Sequence, residues 1–525
     1  MNNDVVDERF QNTVSHLSDL NDCAMELHAQ GVQAARETIT DVSKLIKQAN
    51  SKTFRFFIDK LELVGKEVGS LTILQNAVFL KHQELYQILD KYDGTSADLL
   101  KREYLLVAQK FYLQNYTELV KRLRLKKMVP LPATPLIGNI QQTSAIGKLA
   151  NRVKDALSFG KVMGDSVANR TTDSIAIKVT ESDMVMAFAG VADLLYDSLH
   201  REWTFVMAFF GLEKNEADEW LRKIFTQPTA SFKRRIREKF DLAANLSEVL
   251  QFLIKISTFQ CAEQENSSDT IGRIFNHYSK VLRARAELLV LEQVQSIDGA
   301  LLQMEKPSHI VNAVTRRATT FLIDSLNSIP IGNGPLVRLM LQPCIVAVDK
   351  FLSHSGAMIQ NSRLQSIYMI NNYDYLVTVL EAYCAKGVQP AFLTDLIQNY
   401  EEHLNTFVDR FVNDELRPFF PLLFEFLDSY QLGHSIPVPV DIICEFNKNA
   451  ADTLRAISGS ILQLFSSFRT SMFVLDAMYA QLLTAYGQFI ELHDGQVGKK
   501  AAEENCPTPM TLSELEQIVR RCKNS

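Results

Sequence analysis

The sequence predicts an all-α protein, an elongated rod of consecutive helical bundles, and three observations lead there. Only 21 glycines and 15 prolines occur among 525 residues, about 7% against roughly 12% in average usage, too few to turn the strands of a sandwich or barrel. Long tracts lack proline altogether: 1–129, 136–227, 229–306, 344–389 and 440–506. Proline removes a helix donor and clashes with the preceding turn, so these tracts are where long helices can form. Within them, apolar residues recur at steps of three and four. With 46% hydrophobic and 22% charged residues, the chain can also bury a large core.

Residues 1–50 read as the remnant of a coiled coil. Phe10, Val14, Leu17, Leu20, Ala24 and Leu27 follow heptad-like steps, as do Val32, Ala35, Ile39, Val42, Ile46 and Ala49 after Gly31. An ordinary amphipathic helix packed on its own domain gives the same pattern over so few heptads. Alanine at three seam positions predicts weak association. Residues 51–129 form an N-terminal helical region, with a turn at Asp93-Gly94-Thr95-Ser96, Thr95 or Ser96 as the cap of the next helix, and a basic end from Lys121 to Lys127.

Residues 130–178, proline-rich and then polar, read as a linker. A helical bundle follows over 179–306, with Trp203 and Trp220 in its core and the basic run Lys233 to Lys239 on a solvated face. A second bundle spans 307–439, with joints at Pro307, the loop 329–335, Pro418 and Pro421. Residues 440–525 hold a long C-terminal helix and tail. Their heptads are the cleanest in the chain: Phe465, Phe468, Met472, Leu475, Tyr479, Leu482, Tyr486 and Phe489. A spacer over 495–510 precedes a short helix from Leu512 to Val519, capped by Thr511 or Ser513.

Charge excludes some functions. The chain carries net −6 overall, and residues 371–525, with 11 basic and 20 acidic side chains, disfavour binding to a nucleic-acid backbone. Seven scattered cysteines form no CxxC pair, and no N-terminal signal pattern is present, which predicts a reducing cytosolic setting. The most apolar stretch, Trp203 to Leu212, is half of the roughly 20 residues a membrane span needs, so any membrane contact is expected to be peripheral.

Reaction chemistry is not legible. No GxxxxGK[ST] phosphate loop, GxSxG elbow or HExxH zinc helix occurs. Gly332-Asn333-Gly334 runs into Pro335 and reads as a turn. Glu401-Glu402-His403 is the densest titratable cluster and reads as a solvated face. No catalytic, cofactor-binding or metal residue is therefore assigned, and no enzyme is expected. One segment stands out: Tyr368-Met369-Ile370-Asn371-Asn372-Tyr373-Asp374-Tyr375-Leu376. Adjacent asparagines are costly in an apolar helix, because their amides compete with the backbone. They are expected to hydrogen-bond a neighbouring helix and fix its register, a ligand site being the alternative.

The stretch Ile367 to Leu380, with its INNYD core, resembles the C-terminal part of the vacuolar protein sorting-associated protein 52 family, whose members are subunits of the GARP and EARP tethering complexes. Thr53 to Ile58, the Tyr-rich run Leu80 to Leu125, and Phe465-Ser466-Ser467-Phe468-Arg469 are similar to family segments in the same order. The resemblance implies a rod of the CATCHR type and a non-catalytic subunit of a vesicle-tethering complex in retrograde transport from endosomes to the trans-Golgi network. It implies as partners the other GARP or EARP subunits, a Rab-type small GTPase and SNARE proteins. It also implies peripheral association with trans-Golgi network and endosome membranes, and neither cofactors nor nucleic acid. Family members carry a longer N-terminal coiled coil than the one read over 1–50, so this chain is expected to join its partner subunits weakly. An exocyst- or COG-type tether subunit, a helical scaffold and a small-GTPase exchange factor remain open alternatives. Circular dichroism is expected to show a helix-dominated spectrum; a substantial strand component, or scattering from a compact sphere, would contradict the fold class.

Overall fold

The computed structural model describes residues 6–64, 71–125, 131–139, 184–266, 268–304, 307–327, 334–387, 391–431, 440–493 and 508–524. Among them every regular element is helical and there is no strand. The chain divides into two compact units, Met1–Ala133 with Arg170–Ala286, and Thr134–Asn169 with Glu287–Ser525. Most of the 130–178 linker, the Gly433 to Pro439 hinge and most of the 495–510 spacer lie outside the described residues.

The first unit begins with α1 (Glu8–Ala29) and α2 (Ala34–Leu63), joined through Gly31, whose φ of 89° is a left-handed conformation that glycine adopts without a Cβ clash. α2 runs unbroken through position 50. Next come α3 (Leu71–Leu74), a π turn (Gln75–Phe79), a 3-10 turn (Leu80–His82), α4 (Gln83–Tyr92) and α5 (Gly94–Leu125). The cap before α5 is Asp93, not Thr95 or Ser96: its carboxylate accepts the Ser96 N–H at 3.2 Å and the Ser96 hydroxyl at 2.7 Å. α6 (Met184–Phe210), α7 (Lys214–Phe240), α8 (Leu246–Asn266) and α9 (Asp269–Leu302) follow, and α9 passes into the second unit after Ala286. Helix α7 continues through Pro228.

An aromatic core holds this unit. Phe57 of α2 stacks on Phe79 of the π turn at 5.1 Å, Phe79 meets Phe209 of α6 edge-on at 5.0 Å, and Phe209 meets Tyr86 of α4 at 4.8 Å. Edge-on and offset rings gain energy beyond the area they bury. Trp203 and Trp220 are half-buried rather than in the core, Trp220 lying 5.2 Å from Phe210 at its margin.

The α1–α2 pair packs on α4 and α5 within the same unit. The inward face of α1 is Phe10, Val14, Ser18, Asn21 and Ala24, at steps of four, four, three and three. Ser18 and Asn21 are drawn in by the Tyr92 hydroxyl, at 3.3 and 3.5 Å. That rotation leaves Leu20 (48% exposed) and Leu27 (41%) on the outer face, while Ala24, Ala35 and Ala49 face inward.

The second unit adds α10 (Ala313–Asn327), α11 (Gly334–Ala357), α12 (Ser362–Cys384), α13 (Ala391–Phe419) and α14 (Pro421–Gln431). It ends with α15 (Val440–Leu464), α16 (Phe468–Leu492) and α17 (Leu512–Asn524). The expected long C-terminal helix with its heptads is α16, and a second long helix, α15, precedes it across a break at 465–467. Ser467 caps α16 by accepting the Thr470 N–H at 3.1 Å. Thr511 caps α17 in a reciprocal pair with Glu514, as one of the two expected caps.

Most of the α16 heptad residues are buried, but Phe468 in its first turn is 73% exposed. Leu475 is 1% exposed. Leu475→Asp puts an unpaired carboxylate into this core and should cost several kcal/mol, whereas Phe468→Asp should leave the thermal midpoint within a degree or two. Equal shifts for the two variants would contradict this burial pattern.

Candidate functional site

Among the described residues two enclosed polar centres stand out, one in each unit. In the second unit, α12 carries the asparagine pair at its middle. The Asn371 side chain donates to the His309 carbonyl at 2.8 Å and accepts the Ser466 N–H at 2.9 Å. Asn372 accepts the Asn312 N–H at 2.9 Å and the Thr315 hydroxyl at 2.7 Å, and donates to the Tyr368 carbonyl within its own helix at 2.8 Å. Both amides thus serve main chain outside α12: the run-in to α10 and the turn between α15 and α16. The register reading holds in a wider form, since the partners are loops and caps as well as a helix.

Asp374 completes this centre. It accepts the Thr470 hydroxyl at 2.5 Å, and Arg469 beside it donates to Glu381 at 3.0 Å. Burial raises the Asp374 carboxyl above its ordinary value; the Thr470 hydrogen bond and Arg469 pull it down, and Glu381 pushes it up. Nearly two turns before it on α12, Tyr368 shares a 2.7 Å hydrogen bond with Ser355 of α11. His403 is exposed but stacks on Tyr373 at 5.2 Å, so it is tied to α12 and is not simply solvated.

In the first unit the centre is Glu202 of α6, fully buried at 0% exposure. Sequence reading passed over it. Tyr104 donates to one of its oxygens at 2.7 Å, while Tyr112 at 3.0 Å and Gln75 at 2.9 Å donate to the other. The π turn points Gln75 inward, and α5 presents Tyr104, Ala108, Tyr112 and Tyr116 along one buried face. Loss of water raises the Glu202 carboxyl above the usual carboxylate range, against the pull of its three donors. The readable signal was the row of tyrosines at spacings of eight and four on α5: a buried tyrosine hydroxyl needs a partner.

These atoms are spent on neighbours, and what the arrangement does is fix helices. Among the described residues no group of three or more His, Cys, Asp or Glu could hold a metal ion. No described helix is long and apolar enough to cross a membrane.

Helix α12 with its asparagine pair lies inside the part of the chain, residues 166–406, that matches the family model for the Vps52 C-terminal region. The same relationship extends beyond that region, because the chain aligns over 92% of its length with a homolog from Canis lupus familiaris, vacuolar protein sorting-associated protein 52. The chain is similar to the Vps52 family along most of its length. Identity to the canine Vps52 homolog is 20% over 511 residues, which cover 69% of that protein. The Arabidopsis thaliana Vps52 A protein is 22% identical over 506 residues, 92% of this chain and 69% of that one. The Caenorhabditis elegans Vps52 homolog is 19% identical over 506 residues, 88% and 70% respectively. The crystal structure of the S. cerevisiae exocyst component Exo70p superposes with a TM-score of 0.42 and 10% identity, over 98% of this chain and 95% of that one, too distant a likeness for any inference.

Asn372→Ala strips partners from the Asn312 N–H and the Thr315 hydroxyl. It should lower unfolding stability by about 1–3 kcal/mol in urea titration, while Glu402→Ala on the exposed face of α13 should change it little. No difference between the two would contradict the role given to Asn372.

Proposed function

We propose that this chain is a non-catalytic subunit of a multisubunit vesicle-tethering complex of the GARP or EARP kind, acting in retrograde transport from endosomes to the trans-Golgi network. The observation that carries the reading is likeness to the Vps52 family, collinear over nine-tenths of the chain with Vps52 homologs of animals and a plant. On this reading the chain is cytosolic and peripheral on trans-Golgi network and endosome membranes, and works by holding other proteins: the remaining complex subunits, a Rab-type GTPase and SNARE proteins.

The outer face of α1 supports an assembly role. Leu20 and Leu27 are one heptad apart and exposed, beside half-buried Leu17. A partner helix laid along them completes a coiled-coil seam that the chain's own packing leaves half made. The alanines that made the seam look weak in the sequence face the other way, so association through this face rests on leucines, which bury far more area.

Affinity purification of the tagged chain from cells is expected to recover the other tether subunits in near-equal amounts. Leu20→Glu with Leu27→Glu should cut that recovery by about tenfold or more at unchanged helix content. Unchanged recovery would move the assembly surface off α1. Recovery of no tether subunit by the unaltered chain would overturn the functional reading.

A further inference from the structure

A cleft of about 310 Å³ opens between α7 and α9 in the first unit. Leu221 and Phe225 from α7 and Ile274 and Tyr278 from α9 form its apolar part. Its walls are locked together at both ends. Asp218 of α7 accepts the Ser268 hydroxyl at 2.7 Å and the Thr270 N–H at 3.3 Å, and the Tyr278 hydroxyl donates to the Thr229 carbonyl at 3.0 Å. The cleft is therefore built before anything enters it, and binding there does not have to order the walls.

The rim is cationic. Arg222, Lys233, Arg273 and His277 line it. Burial first, and then the charges of Lys233, Arg237 and Lys280, push the His277 imidazole below its ordinary value, so these cations share one field. The acidic groups nearby are already engaged: Asp218 as described, Glu219 with Lys223 at 2.8 Å, and Asp269 with Arg273 at 3.6 Å. Lys233, Arg237 and Lys280 have no carboxylate partner among the described residues. Such a rim attracts anions, and its unpaired charges are complementary to carboxylates.

The shape separates two kinds of anionic partner. Leu221, Phe225 and Tyr278 are recessed and almost wholly inaccessible, beyond the reach of a flat lipid surface. A single projecting side chain can fill the space above them. We propose that this cleft docks a carboxylate-rich amphipathic segment of a partner protein, with one bulky apolar side chain seated between α7 and α9 and flanking carboxylates held by Lys233, Arg237 and Lys280. The proposal goes beyond the tethering reading and does not depend on it.

The test uses the full chain and a fluorescein-labelled synthetic amphipathic peptide in which glutamates flank leucines. Fluorescence anisotropy should give saturable binding that weakens with salt. Lys233→Glu combined with Lys280→Glu should lower affinity at least about tenfold, as should replacing the peptide's glutamates by glutamine. Ala230→Trp, on the exposed lip of the cleft, should obstruct entry with the charges intact, and circular dichroism confirms that each variant is folded. No binding by the unaltered chain would overturn the proposal, as would binding indifferent to both the charge reversal and the Trp plug. Binding to phosphatidylserine vesicles that depends on the same lysines and is not displaced by the peptide would overturn it in favour of a lipid surface.

Discussion

Asn371 spends both ends of one side-chain amide on main chain that has left its helix, and the second unit is organised around that constraint. One partner is 62 residues earlier in the chain and the other 95 later. A backbone group that is neither in a helix nor in water costs free energy unless something meets it. Here a helix interior supplies the caps for breaks elsewhere. Asn372 does the same for the start of α10, and Asp374 reaches the first turn of α16 through Thr470. Helix α12 therefore works as the spine onto which separate stretches of chain are registered.

The first unit answers the same problem with different chemistry. Glu202 is a buried acid, and the groups that meet it are hydroxyls and an amide, not a cation. A buried ion pair must offset the dehydration of two charges, and it often fails to do so. Neutral donors leave only one group to dehydrate, which is why the carboxyl proton is held more tightly than usual. The aromatic rings of the donors meanwhile remain part of the apolar core: Tyr104 lies 5.2 Å from Phe205 while its hydroxyl serves Glu202. One residue type supplies both the apolar packing and the polar partner.

Helical content and much of the burial were legible in the sequence, because spacing of three and four encodes which face turns inward. The asparagine pair was legible as an anomaly, since two amides in an apolar stretch demand partners. What stayed hidden depends on residues remote in sequence. The inward face of α1 includes Ser18 and Asn21, which meet the Tyr92 hydroxyl, while Leu20 and Leu27 of the apolar spacing face outward. The break between α15 and α16 depends on Asn371, nearly a hundred residues away. The cap at Asp93 was missed for a local reason: a carboxylate one residue ahead of the helix competed successfully with the hydroxyls inside it.

The continuity of α2 has a mechanical meaning. The helix that carries Ala35 and Val42 against α1 also carries Phe57 into the stack with Phe79. No hinge or loop lies between the two ends to stretch first. A pull delivered to the N-terminal pair travels along a strut of helical hydrogen bonds, which lie parallel to the load, and arrives as shear on the aromatic core. Force on one end of this unit is borne by its aromatic core.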